Sequence, residues 1–147
     1  MYTVVYLASG IPVTPITPVG VVNVDGLRIG DVTYPLPHGY VLPTGKEFRA
    51  VCFEVNGHLI LVILCDNESC VINMETQHVY QFEYYESDMV RNFMVSDGCL
   101  IGYDLRVEDA DHPDMRVQVA KRITQLMDTC FVRQPVFTAP LAALGLT

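Results

Sequence analysis

The chain has 147 residues, half of them hydrophobic and 18% charged, with a net charge of −8 and five cysteines. That is enough apolar material for one packed core, which excludes a disordered chain. The charge excludes phosphate-backbone binding, which rests on Lys and Arg: Lys46 and Lys121 are the lysines, and nothing basic stands between Arg49 and Arg91 while seven acids do.

In chain order, residues 2–8, "YTVVYLA", are rich in β-branched and aromatic types and read as a strand. "SGIPVTPITPVG" follows, with Pro12, Pro15 and Pro18 at a spacing of three, and reads as extended, polyproline-like or an edge segment. Asp25-Gly26 lies between two β-type runs and signals a hairpin whose turn residues accept positive φ. "TYPLPHGYVLPTGKE" is a loop. "FRAVCFEVNGHLILVILC" is the clearest element: Asn56-Gly57 predicts a type I′ turn joining two strands. Val51, Phe53 and Val55 alternate with polar positions in the first strand, whereas the second is apolar throughout, as expected of a central strand covered on both faces. "CVINM" and "HVYQFEYY", separated by a turn at Glu75-Thr76-Gln77, complete a four-stranded antiparallel meander over residues 49–85.

Beyond the meander, Met89, Val90, Phe93 and Met94 fall on one helical stripe behind Ser87 as N-cap, predicting a short helix. "CLIGYDLRV" reads as a further strand. From Pro113 to Phe131, Met115, Val119, Ile123, Leu126 and Cys130 recur at 3.6-residue spacing and predict a long helix. The expected fold class is therefore α+β: an antiparallel meander with one long C-terminal helix and one short helix packed on it. Residues 1–133 form one domain, including the proline-rich segment 10–20. Residues 134–147 form an apolar arm that docks either on a partner or back on its own sheet.

"LILVILCDNESC", residues 59–70, looks most like chemistry, with Cys65 and Cys70 flanking Asp66 and Glu68. In a four-residue hairpin loop the two thiols face one another across the strands. Zinc needs four ligands, and His38, His58, His78 and His112 are scattered singly, so an acidic turn is the favoured reading over a metal or redox pair. "EDADHPD", residues 108–114, lacks the Gly and Glu of a calcium loop; its acids suit a helix N-terminus. No catalytic or cofactor motif is present, so no cofactor and no enzymatic activity are expected. The odd cysteine count, without framework spacing, implies a reducing, intracellular setting. The N-terminus lacks the pattern of a secretory signal, and the longest apolar run, Leu59 to Cys65, is far short of the ~20 residues that cross a bilayer.

"YPLPHGYVLPTG" (Tyr34 to Gly45), the hairpin ending in "LILVILCDNESCVINMETQHVYQF", and the segment Met89–Met94 together resemble the SUKH superfamily in the order of their features over residues 34–95. The N-terminal helix of that family has no counterpart here, where strand and proline-rich residues stand. The resemblance implies non-catalytic binding of another protein, as an immunity or host-defence-antagonist module, with the polar turns of the sheet as the contact region.

The residues themselves point first to a non-enzymatic structural or interaction subunit of a larger homo- or hetero-oligomeric protein assembly, of which a virion or similar particle is one kind. Neither nucleic acid nor membrane is expected as partner. A small thiol- or metal-dependent enzyme is the third reading. The expected contact residues are Pro135, Val136, Phe137, Leu141 and Leu144 on the arm, and Glu68, Glu75 and Glu83 on the acidic side of the sheet.

Overall fold

The computed structural model describes residues 11–13, 16, 21–84, 90, 92–107 and 131–147. The expected strand 2–8, the loop 108–114 and the expected helix over 113–130 lie outside the described residues.

At the centre is the meander: β5 (Arg49–Val55), β6 (His58–Leu64), β7 (Ser69–Asn73) and β8 (Val79–Phe82), antiparallel and in that order. Asn56 and Gly57 both take positive φ, 51° and 80°, and close the β5–β6 hairpin with Val55 opposite His58. Every residue from Leu59 to Leu64 is buried, because layers cover both faces of the sheet.

One layer is a second sheet. It contains β1 (Ile11–Val13), β9 (Asn92–Ser96), β10 (Cys99–Val107) and β11 (Phe131–Pro140), hydrogen-bonded in that order. It meets the face of the meander carrying Phe53, Ile60, Val62 and Val71, and contributes Phe93, Leu100, Phe137 and Ala139 to that core. Phe93 tilts against Phe53 with ring centroids 4.9 Å apart, and Phe137 stacks on Phe82 at 4.4 Å. The other layer is a small sheet, β2 (Val21–Asn23), β3 (Gly26–Ile29) and β4 (Val32–Tyr34), continued by the loop that follows it. Leu27, Tyr34, Leu36, Tyr40, Leu42 and Phe48 cover Cys52, Leu61, Ile63 and Ile72 on the opposite face.

These observations correct the fold class. The described residues form antiparallel β-sheets with a single 3-10 turn, Leu141–Leu144, rather than an α+β fold. The expected short helix is overturned from Asn92 on: Asn92–Ser96 is a strand that pairs with β10 through a turn in which Asp97 and Gly98 have φ of 52° and 73°. A run as short as "NFMV" fits both helical and alternating periods, and the Asp-Gly pair decides between them. Phe131, the expected end of the long helix, opens β11, which pairs with β10 along its whole length. Pro135 is accommodated because β11 is an edge strand, where a missing N–H costs no ladder bond.

The first hairpin is also displaced by one residue. Asn23 pairs with Gly26, so Val24 and Asp25 make the turn, and Asn23 Oδ1 accepts the Asp25 N–H at 2.9 Å. Gly26 stands within the strand because a Cβ there would collide with the Tyr34 carbonyl.

The C-terminal residues pack in cis. Leu141, Leu144 and Leu146 enter the same core as Phe137. Asn73, fully buried, holds them: its Nδ2 donates to the Leu144 carbonyl at 2.7 Å, while its Oδ1 accepts the N–H groups of Glu75 and Thr76. That arrangement fixes the orientation of the amide, so His58 Nδ1, 3.1 Å from Nδ2, accepts as an unprotonated nitrogen.

A candidate groove beside the edge strand

The turn after β6 is built from its own side chains. Cys65 N–H donates to Ser69 Oγ at 2.9 Å, and the Ser69 hydroxyl donates back to the Cys65 carbonyl at 2.8 Å. Glu68 N–H reaches the same carbonyl at 3.0 Å, and Asn67 takes the left-handed conformation (φ 65°) that the tight turn requires. Outside the turn, Glu68 meets Lys46 at 3.3 Å, with both side chains about half exposed. Such a pair contributes ~0–1 kcal/mol.

The two thiols do not face one another. Cys70 pairs across the ladder with Ile63, which corrects the expectation that Cys65 lies opposite it. Cys70 Sγ–H instead approaches the Tyr40 hydroxyl at 3.4 Å, and Cys65 Sγ–H points at the Glu47 carbonyl at 3.6 Å. Burial pushes the Cys70 thiol up to about 11 against the opposing hydrogen bond from Tyr40, and burial with the Glu54 charge takes Cys52 to about 11. Burial and the Glu68 carboxylate raise Cys65 as well, and desolvation raises the Tyr40 hydroxyl. At neutral pH these thiols are protonated, which is the wrong state for a nucleophile. Among the described residues no three His, Cys, Asp or Glu side chains gather where an ion would sit.

Beside this turn lies a groove of about 710 Å³. Its floor is the outer part of the meander, with Cys70, Val79 and Gln81; its wall is the loop from Pro37 to Val41. Tyr40 anchors that wall, donating its N–H to the Pro37 carbonyl at 3.0 Å and packing over Cys70. Val41, 77% exposed, stands on the rim. Glu68 and Glu83 line the groove, and among the described residues no Lys or Arg does. A second recess of about 600 Å³, with Lys46, Arg49, Cys65 and Tyr84 among its lining, lies on the far side of the turn.

Comparison with protein-family models, with curated proteins and with solved structures returns no match.

Of the expected contact residues, the structure brings Glu68 and Glu83 into one groove and separates Glu75, whose carboxylate accepts the Leu59 N–H at 2.9 Å at the other end of the meander. Pro135 is exposed and Val136 half-buried, whereas Phe137, Leu141 and Leu144 lie in the core of their own chain. The sequence reading missed the loop wall, Tyr40 and Val41, and the floor residues Val79 and Gln81. The "PLPHGYV" punctuation marked a loop, but nothing local says that its tyrosine crosses to a cysteine thirty positions away.

Proposed function

We infer that the protein is a non-enzymatic, protein-binding subunit of a larger assembly, and that the groove between the Pro37–Val41 loop and β8 receives its partner. The observation that carries this reading is the position of the groove: a part-apolar trough lined by Glu68 and Glu83, built on the meander beside its edge strand. The protonated state of Cys70 and the use of Tyr40 as a packing anchor weigh against thiol chemistry at this place.

The test is co-purification from the native source with tagged variants. Val41→Asp and Glu68→Lys alter the rim and the charge of the groove; Val24→Asp, at an 87% exposed turn of the small sheet, is the control. The expected result is a partner retained in stoichiometric amount by the wild type and the control and lost from both groove variants, with association weakening as salt is raised. A partner held equally by all four proteins removes the groove from consideration.

A further inference from the structure

Sheet edges differ sharply in this molecule. An edge strand offers unpaired N–H and C=O groups, and proteins usually blunt it with proline, a charged side chain, a bulge, brevity or a cover. β1 carries Pro12, and β11 carries Pro135 opposite a bulge at Gly102/Tyr103. β5 is covered where Ile16 N–H donates to the Cys52 carbonyl at 2.7 Å. β2 and β4 are three residues each. β8, "VYQF", has no proline, no charged residue and an unbroken register with β7.

Among the described residues, the register shows which of its groups have no backbone partner. Asn73 N–H donates to the His78 carbonyl and Asn67 N–H to the Tyr84 carbonyl, so the even-numbered residues from 78 to 84 turn their backbone toward β7. Val79 and Gln81 therefore turn theirs outward. The same two side chains form the floor of the groove, so the open edge and the trough are one site.

We propose that this site binds its partner by strand addition: an extended peptide pairs with β8 through the backbone of Val79 and Gln81. This rests on the groove being the partner surface, and adds how it is read. Main-chain bonds supply register, and alternate side chains supply specificity. Residues opposite Val79 and Gln81 project over the groove, whose lining carries Glu83 and the Lys46-paired Glu68 and, among the described residues, no Lys or Arg; a Lys or Arg at these positions complements that charge. Residues opposite Tyr80 and Phe82 project to the other face, beside these half-buried rings, and are apolar. The occupant is thus a basic–apolar peptide of period two. A second copy of this chain fits less well, because a four-residue strand edge covers far less than the ~1,200 Å² of a stable interface.

The experiment selects binders to the intact protein from a displayed library of random nine-residue peptides, then measures synthetic versions by fluorescence anisotropy. Expected are sequences alternating basic and apolar residues. N-methylation of one alternate set of amides should weaken binding at least tenfold, and of the other set leave it unchanged. Gln81→Pro, which removes an outward N–H from an edge strand, should weaken it equally while circular dichroism stays native; the N-methylated peptides carry the test if that variant fails to fold. Binders lost with Val41→Asp but indifferent to N-methylation and to Gln81→Pro would overturn strand addition and leave the groove standing. Binders indifferent to all of these, or no binders, would overturn both. Sedimentation of the protein alone closes the remaining route: a dimer abolished by Gln81→Pro would assign the edge to a second copy and overturn the peptide.

Discussion

Asn73 shows how much one side chain can organise. It is apolar on neither side of its chemistry, yet it is fully buried, and each of its amide hydrogens and lone pairs has a partner from the β7–β8 turn, the C-terminal turn or His58. Removing it takes one of two donors from the Leu144 carbonyl, which keeps the Thr76 hydroxyl at 3.3 Å, and takes the acceptor from the N–H groups of Glu75 and Thr76. Unsatisfied buried groups cost ~1–3 kcal/mol each, with partial relief from relaxation. Asn73→Ala is therefore expected to lower stability by ~1–2 kcal/mol, read as a shift in urea midpoint without a change in slope. A variant within ~0.5 kcal/mol of wild type would mean that the C-terminal turn is held by its leucines alone. Gly102 plays the complementary part through absence: a Cβ there would enter the Phe137 ring, so the glycine lets β11 seat its aromatic in the core.

At the scale of elements, the hairpins were legible where the turn chemistry is local. Asn56-Gly57 marks its turn in the sequence, and Asp97-Gly98 carries the same signal within a segment whose apolar stripe suggested a helix. The first hairpin was legible only to within one residue, because the constraint on Gly26 comes from Tyr34 across the sheet and not from the turn. The C-terminal segment is where element and core meet. Burying a leucine stabilises by ~1.5–3 kcal/mol, so the three leucines of residues 141–147 together match much of the ~5–15 kcal/mol of a typical domain. Deleting 141–147 is expected to abolish cooperative thermal unfolding, or to lower the melting temperature drastically. A truncated chain that melted like the full one would show these residues to be an appendage after all.

For the whole molecule, the buried thiols predict an alkaline limit. Cys52 and Cys70 move from an ordinary 9.0 to about 11 in the fold. The unfolded chain loses these protons first, so between pH 9 and about 11 the native state holds more protons and stability falls as pH rises. Below the unfolded value the contribution is complete. The melting temperature should therefore decline across that window, and Cys70→Ala, although less stable at neutral pH, should decline more gently. Parallel curves for the two proteins would show that the Cys70 thiol does not ionise on unfolding. Three layers explain why both thiols are affected: each lies on the face of the meander covered by the small sheet and its loop.

By itself the sequence determined the meander, its Asn-Gly turn, the doubly covered apolar strand β6, and the stretch without Lys or Arg between Arg49 and Arg91, because periodicity, turn chemistry and charge are written locally. It did not determine that residues 92–96 and 131–140 are strands, that Cys65 and Cys70 turn to different partners, or that the C-terminal leucines lie in their own core. Those outcomes depend on pairing between β9, β10 and β11 and on the register of β6 with β7, where bonds between distant residues outweigh local preference. The groove belongs wholly to this second class, since its wall and floor come from segments some forty residues apart that only the packed sheets bring together.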